Sequence, residues 1–284
     1  MTISVIGKKK QVKKSFEELL TDLKTSSSEK VRYNAARMLG EMGDSNAVEP
    51  LIDVLRNDKN GSVRLYAARA LGELGDSRAT EYLIESLRED RNVDVRVRAA
   101  RALGRLGGKI VVEPLVEALN DENPQVCITA TDALIEIGDV ATDALIGSLN
   151  HEKVNVRCDA TRALGEIGNK KAVDHVIKML YDEWVNVRIY AVTSLGKLND
   201  RKAVPALIEV MKNEKENELV RAGAAAALGV LRDQRALLPL RELIMAAEEL
   251  GELEDTALKS FKKIMAANWQ SIPGATAQKK PAAV

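Results

Sequence analysis

Seven valines, Val31, Val63, Val95, Val126, Val156, Val187 and Val220, recur 30 to 33 residues apart along the 284-residue chain. A period of this size marks one supersecondary unit copied in tandem, and it limits the possible folds more than any other feature. With each valine counted as the first position, the fifth is alanine in every copy (Ala35, Ala67, Ala99, Ala130, Ala160, Ala191, Ala224). The ninth is leucine from Leu39 through Leu228, and the twelfth is Met42, Leu74, Leu106, Ile137, Ile167, Leu198 or Leu231. At roughly 100° per residue these four positions share one stripe, so each copy opens with a helix that has a core face.

The flank of that helix is kept small. Ala36, Ala68 and Ala100 lie there, and a glycine such as Gly40, Gly72 or Gly104 holds the tenth position in six of seven copies. A second surface is expected to approach closely at these glycines. Another glycine (Gly43, Gly75, Gly107, Gly138, Gly168) then supplies a left-handed cap, and an Asp or Asn after it can cap the next element. A second helix follows, reading "AVEPLIDVL", "ATEYLIESL" or "VVEPLVEAL", with Pro50 and Pro114 near its first turn, where a missing N–H costs least.

A hairpin of about 31 residues cannot cover both of its apolar faces and must stack on its neighbours. The expected fold is therefore all-α, a right-handed α-α superhelix or α-solenoid of about seven helical hairpins with capping helices. An amphipathic helix from about Val12 to Lys24 would cap one end and "LEDTALKSFKKIMAANW" the other. Residues 1–11 read as a basic N-terminal arm, 12–269 as the solenoid, and 270–284 as a disordered tail of small, polar and proline residues.

The net charge of zero hides an uneven distribution. Lys8, Lys9, Lys10, Lys13 and Lys14 crowd the first 14 residues, Lys279 and Lys280 the tail, and the body is left at −7. Nucleic-acid binding along the solenoid is not expected, because it needs clustered cations; the lysine arm is the exception. Cys127 and Cys158 form no CxxC pattern and read as reduced thiols. No apolar run reaches membrane-spanning length, no secretory signal is written at the start, and a cytoplasmic location is expected.

"VRLYAARALGELGD" and "VRVRAARALGRLGG", each followed by a second-helix motif, resemble the HEAT-like repeat of the phycobilisome lyase type over residues 29 to about 248. The resemblance implies a HEAT-like α-solenoid and leaves the activity open, because that family includes bilin lyase subunits, deoxyhypusine hydroxylases, DNA glycosylase relatives and plain scaffolds. Deoxyhypusine hydroxylase relatives hold a di-iron centre in repeated His-Glu dyads. Here only His151-Glu152 forms one, and His175 precedes Val176, so four ligating dyads cannot be assembled.

An arginine follows the valine in six copies: Arg32, Arg64, Arg96, Arg157, Arg188 and Arg221. A cation at the edge of an apolar stripe needs a partner, and a structural ladder to carboxylates or carbonyls is expected, with Asp44, Asp76, Asp139, Asp200 and Asp233 as leading acids. A substrate-binding row is the alternative. Copy four departs from the pattern at Cys127, at Ile135 and in a turn one residue shorter, and a change of curvature or twist is expected between residues 120 and 150.

The second helices carry Glu49, Asp53, Glu81, Tyr82, Glu85, Glu113, Glu117, Asp143, Asp174, His175, Lys178 and Glu209, a row that lines the concave side in solenoids of this type. Its first half is acidic and suits a partner with a basic segment; a solvated face is the plain alternative. Tyr181, Trp184 and Tyr190 place three of nine aromatics within ten residues, and Trp184 stands in an inter-repeat turn where the polar residues Asn60, Asn92, Asn123, Lys153 and Asn217 stand elsewhere. These features point to a non-catalytic protein-interaction scaffold or assembly subunit binding another protein, with no cofactor and no metal. The alternative is a bilin lyase-like or maturation factor that holds a modified protein or tetrapyrrole.

Overall fold

The computed structural model describes residues 14–246 and 251–268. The lysines at 8, 9, 10 and 13, the arm and the tail lie outside those residues. The chain divides at Leu106/Gly107 into two compact units. Among the described residues both are helical and neither contains a strand. No described helix is long and apolar enough to cross a membrane.

The first unit contains α1 (Phe16–Thr25), then α2 (Glu29–Met42) and α3 (Val48–Asn57), α4 (Gly61–Leu74) and α5 (Thr80–Glu89), and α6 (Val93–Leu106). First helices stack on first helices, α2 on α4 and α4 on α6, while α3 packs on α4 and α5 on α6. Val63, Ala67 and Leu71 are wholly buried, as the stripe requires. α1 covers α2 with Leu19 and Leu23. Its start is fixed by a capping box in which Ser15 and Glu18 satisfy each other's backbone N–H groups. Lys14, the one described lysine of the basic cluster, is ion-paired with Asp22.

The second unit repeats the plan with α7 (Val112–Glu117) and α8 (Pro124–Ile137), α9 (Thr142–Ser148) and α10 (Val154–Ile167), α11 (Val173–Met179) and α12 (Val185–Leu198), and α13 (Val204–Lys212) and α14 (Glu218–Leu231). It ends with α15 (Leu237–Ala246) and α16 (Glu252–Asn268). α16 packs on α14 and buries Leu253, Ala257 and Ile264, so it covers the last hairpin.

The tenth-position glycines sit where helices touch. A Cβ on Gly72 would lie 2.7 Å from the Ala102 methyl, and one on Gly165 would lie 2.4 Å from the Ser194 hydroxyl. Most first helices end in a left-handed residue, such as Gly75 at φ 68°, ψ 17°. Asn199 and Arg232 take the same conformation without glycine. Gly138 does not fit the expected left-handed cap: its ψ is −136°, and the chain runs straight into a 3₁₀ turn at Gly138–Ala141. The shortened connection in copy four leaves no room for the usual cap residue.

Candidate protein-interaction surface

The buried arginines are held, but not by the acids the sequence suggested. Arg32 forks onto Asp58 (Nε to Oδ2 2.6 Å, Nη2 to Oδ1 3.0 Å) and donates from Nη1 to the Ser26 and Ser27 carbonyls. Arg64 does the same to Asp90 (2.7 Å twice) and to the Asp58 carbonyl, and Arg157 to Asp182 (2.8 and 3.0 Å) and the His151 carbonyl. Arg96 donates to the Asp90 carbonyl, Arg188 to Glu216 and the Asp182 carbonyl, and Arg221 to the Met211 carbonyl.

The acids that bind these arginines sit in the turn after the second helix, where the returning chain passes the start of the first helix. Asp44, Asp76, Asp200 and Asp233 instead cap the 3₁₀ turns that open the second helices, each accepting a backbone N–H two residues on. Asp139 accepts from the Asn169 amide. Burial alone would raise the Asp58 carboxyl, but the Arg32 hydrogen bond, the Asn60 N–H and the charges of Arg32 and Arg64 outweigh it and hold the group below its ordinary value.

Each turn acid does a second job. Asp58 Oδ1 accepts from Asn60 N at 2.8 Å, Asp90 from Asn92 N at 2.8 Å, and Asp182 from Trp184 N at 2.9 Å. In copy four both halves of the pair are replaced together: Cys127 stands for the arginine and His151 for the aspartate. The Cys127 thiol donates to the Asp121 carbonyl at 3.3 Å, and His151 Nδ1 accepts from Lys153 N at 3.0 Å. His151 is thus the turn's acceptor. The Asp-x-Asn spacing at 58/60, 90/92 and 121/123, after the second helices of the first three hairpins, was the signal that would have revealed both facts.

The second-helix row is exposed at every predicted position except Tyr82, which is half-buried. It is less acidic than its letters suggest, because cations of neighbouring hairpins lace it. Glu49 meets Arg78 (3.4 Å), Glu85 meets Arg56 (3.7 Å), Asp143 meets Lys171 (2.5 Å) and Asp174 meets Lys202 (3.2 Å). Arg56 also lies over the Tyr82 ring at 5.4 Å, and Asp53 accepts from Asn57. Among the described residues Glu81 and Glu113 make no ion pair, whereas Glu117 has a partner. His175 and Lys178 are exposed on α11.

Aromatics distinguish the stretch that follows α11. Tyr181 is 56% exposed and donates its hydroxyl to Glu209 at 3.1 Å. Trp184 is 53% exposed at the N-cap of α12 and caps nothing with its side chain. At that position Asn60, Asn123 and Asn217 each accept a hydrogen bond from the backbone two residues on. The tryptophan therefore forgoes a cap worth about 1 kcal/mol and keeps about half of its surface in solvent. Tyr190 lies on α12, in a groove of about 480 Å³ together with Ile128, Cys127, Cys158 and Asp159.

Both thiols of that groove are free and held in the neutral form. Burial, then Asp159 and Asp182, pushes Cys158 up to about 11, and burial, Asp159 and Asp121 raise Cys127. Among the described residues no three His, Cys, Asp or Glu side chains gather as a metal site.

Residues 16–104, 80–151, 112–186 and 182–252 match HEAT repeats. The chain belongs to the HEAT repeat family. Its HEAT repeats share their fold with the karyopherin Kap121p, solved bound to the extreme C-terminus of the protein phosphatase Cdc14p. That match is 15% identical and covers 89% of this chain and 34% of the karyopherin, at a TM-score of 0.67. The complex of CpcE and CpcF of phycocyanin lyase from Nostoc sp. PCC7120 is 24% identical over 93% of this chain and 100% of that one, at 0.47. Human deoxyhypusine hydroxylase is 21% identical over 88% and 95%, at 0.40. No curated protein matches the sequence.

Proposed function

We propose that this HEAT-repeat protein is a non-catalytic interaction scaffold or assembly subunit, and that a protein partner docks on the second-helix side around α11, with Trp184 as its anchor. The carrying observation is the exposed indole of Trp184 at a helix N-cap where four repeats place a capping asparagine and one an exposed, non-capping Lys153. A residue that weakens its own helix and stays in solvent has its return in binding, and Trp is the side chain most enriched at interface hot spots. The two neutral thiols support a binding role over nucleophilic chemistry. The exposed mixture of charges on α11, with Tyr181 beside it in the chain, suits a partner that offers an apolar residue and flanking polar groups of both signs.

The test is affinity capture of the wild type and of Trp184→Ala, read by mass spectrometry, with iodide quenching of Trp184 fluorescence in a Trp269→Phe background. The reading expects one stoichiometric protein with the wild type, its loss with Trp184→Ala, and quenching that falls when that partner is added. A coloured or covalently handled ligand in place of a protein partner would overturn it.

A further inference from the structure

On the first helices one stripe carries an Arg and a Glu one turn apart in the first, second and fifth repeats, and the third repeat fills both positions with arginine. With the valine counted as the first position, the seventh and eleventh positions are Arg37 and Glu41 in the first repeat, and Arg69 and Glu73 in the second. Both pairs are closed, at 2.6 and 2.7 Å. Farther on, Arg162 meets Asp132 at 3.3 Å and Lys197 is paired with Glu166. The third repeat has Arg101 and Arg105 at these positions, and Arg98 one turn earlier. Among the described residues none of the three has a carboxylate or hydrogen-bond partner.

Arg98, Arg101 and Arg105 are spaced i, i+3, i+7 and share one face of α6. With Arg69 and Glu73 of α4 they rim a groove of about 190 Å³. Its floor is Gly72 and Ala102, the pair whose close approach was described above. Arg69 and Glu73 neutralise each other, so the rim keeps three uncompensated guanidinium charges. Like charges at these spacings repel one another, and among the described residues the one carboxylate of the rim, Glu73, is paired with Arg69.

We propose that this groove binds a phosphorylated side chain of a partner protein. A phosphate monoester carries nearly two negative charges and three acceptor oxygens, and guanidinium forks match it in charge and in planar geometry. A nucleic-acid strand fits less well. The groove spans only two helices, no aromatic side chain lines it to receive a base, and the surrounding body is acidic. The site is built from first helices of the first unit and shares no residue with the Trp184 turn of the second, so its failure leaves the scaffold reading standing.

The test uses the full chain and a short fluorescein-labelled peptide made in three forms, with serine, phosphoserine or a pair of glutamates. Binding is read by anisotropy at low salt, with inorganic phosphate as competitor. The phosphoserine form is expected to bind at least about tenfold more tightly than the serine form, and phosphate is expected to displace it. Arg105→Glu recreates the pairing pattern of the first two repeats, so the chain should fold at least as well and yet lose the preference. Arg56→Ala, on a second helix, should keep it.

Equal binding of the serine and phosphoserine forms would overturn the proposal, as would an undiminished preference in Arg105→Glu. So would a short single-stranded oligonucleotide that outcompetes the phosphopeptide and depends on the same arginines.

Discussion

The second and fourth hairpins are built to one plan and stabilised differently. In the second, Arg64 forks onto Asp90, Asn60 caps α4 with bonds to two backbone N–H groups, and Gly75 closes the helix in the left-handed region. In the fourth, the positions of the ion pair hold Cys127 and His151, Ile135 replaces the close-approach glycine, and Gly138 turns the chain another way. Both remain closed helical hairpins with buried Ala and Leu stripes. The apolar stripe therefore makes the hairpin, and the Arg–Asp pair fixes how the returning turn meets it. A buried pair is removable when both partners go together, as copy four shows, and costly when one is left alone.

The largest effect that would break this comparison is in Arg64→Ala. It leaves Asp90, a side chain 7% exposed, without its cation, and should cost about 3 kcal/mol in urea unfolding. Cys127→Ala has no ionic partner to orphan and should cost under about 1 kcal/mol. Equal costs would mean the pair contributes nothing beyond shape. Gly72→Ala comes next. The new methyl would meet Ala102 at 2.7 Å, and the loss should be about 2 kcal/mol.

Trp184→Asn should stabilise by about 1 kcal/mol, because it restores the cap that the corresponding asparagines make. The smallest effect is with pH. Asp58 has its carboxyl lowered in the folded state, so its contribution is complete above the unfolded carboxylate range and is lost as pH falls through the folded value. Acid titration of urea stability should show that loss in the wild type and a weaker one in Arg32→Ala.

The helical register was legible because it depends on spacing within one helix. Val, Ala, Leu and Gly at the first, fifth, ninth and tenth positions gave the stripe, the close approach and the seven copies. The arginine partners were not legible in the same way, since Arg32 and Asp58 lie 26 residues apart and meet only because the hairpin closes. Asp44 stood nearer in sequence and matched in charge, yet its carboxylate serves the backbone of its own turn. The acidic row was readable as a row but not as a field, because Arg78, Lys171 and Lys202 reach it from neighbouring copies. Trp184 could be singled out from its neighbours' asparagines alone; that those asparagines cap helices needed the coordinates.

The most direct test of the claim that Trp184 is kept for a partner measures two quantities on one preparation of Trp184→Asn: its urea midpoint and its recovery of the protein captured by the wild type. The account predicts a higher midpoint and no partner. A lower midpoint, or a partner retained in full, would show that the indole serves the fold and would contradict it.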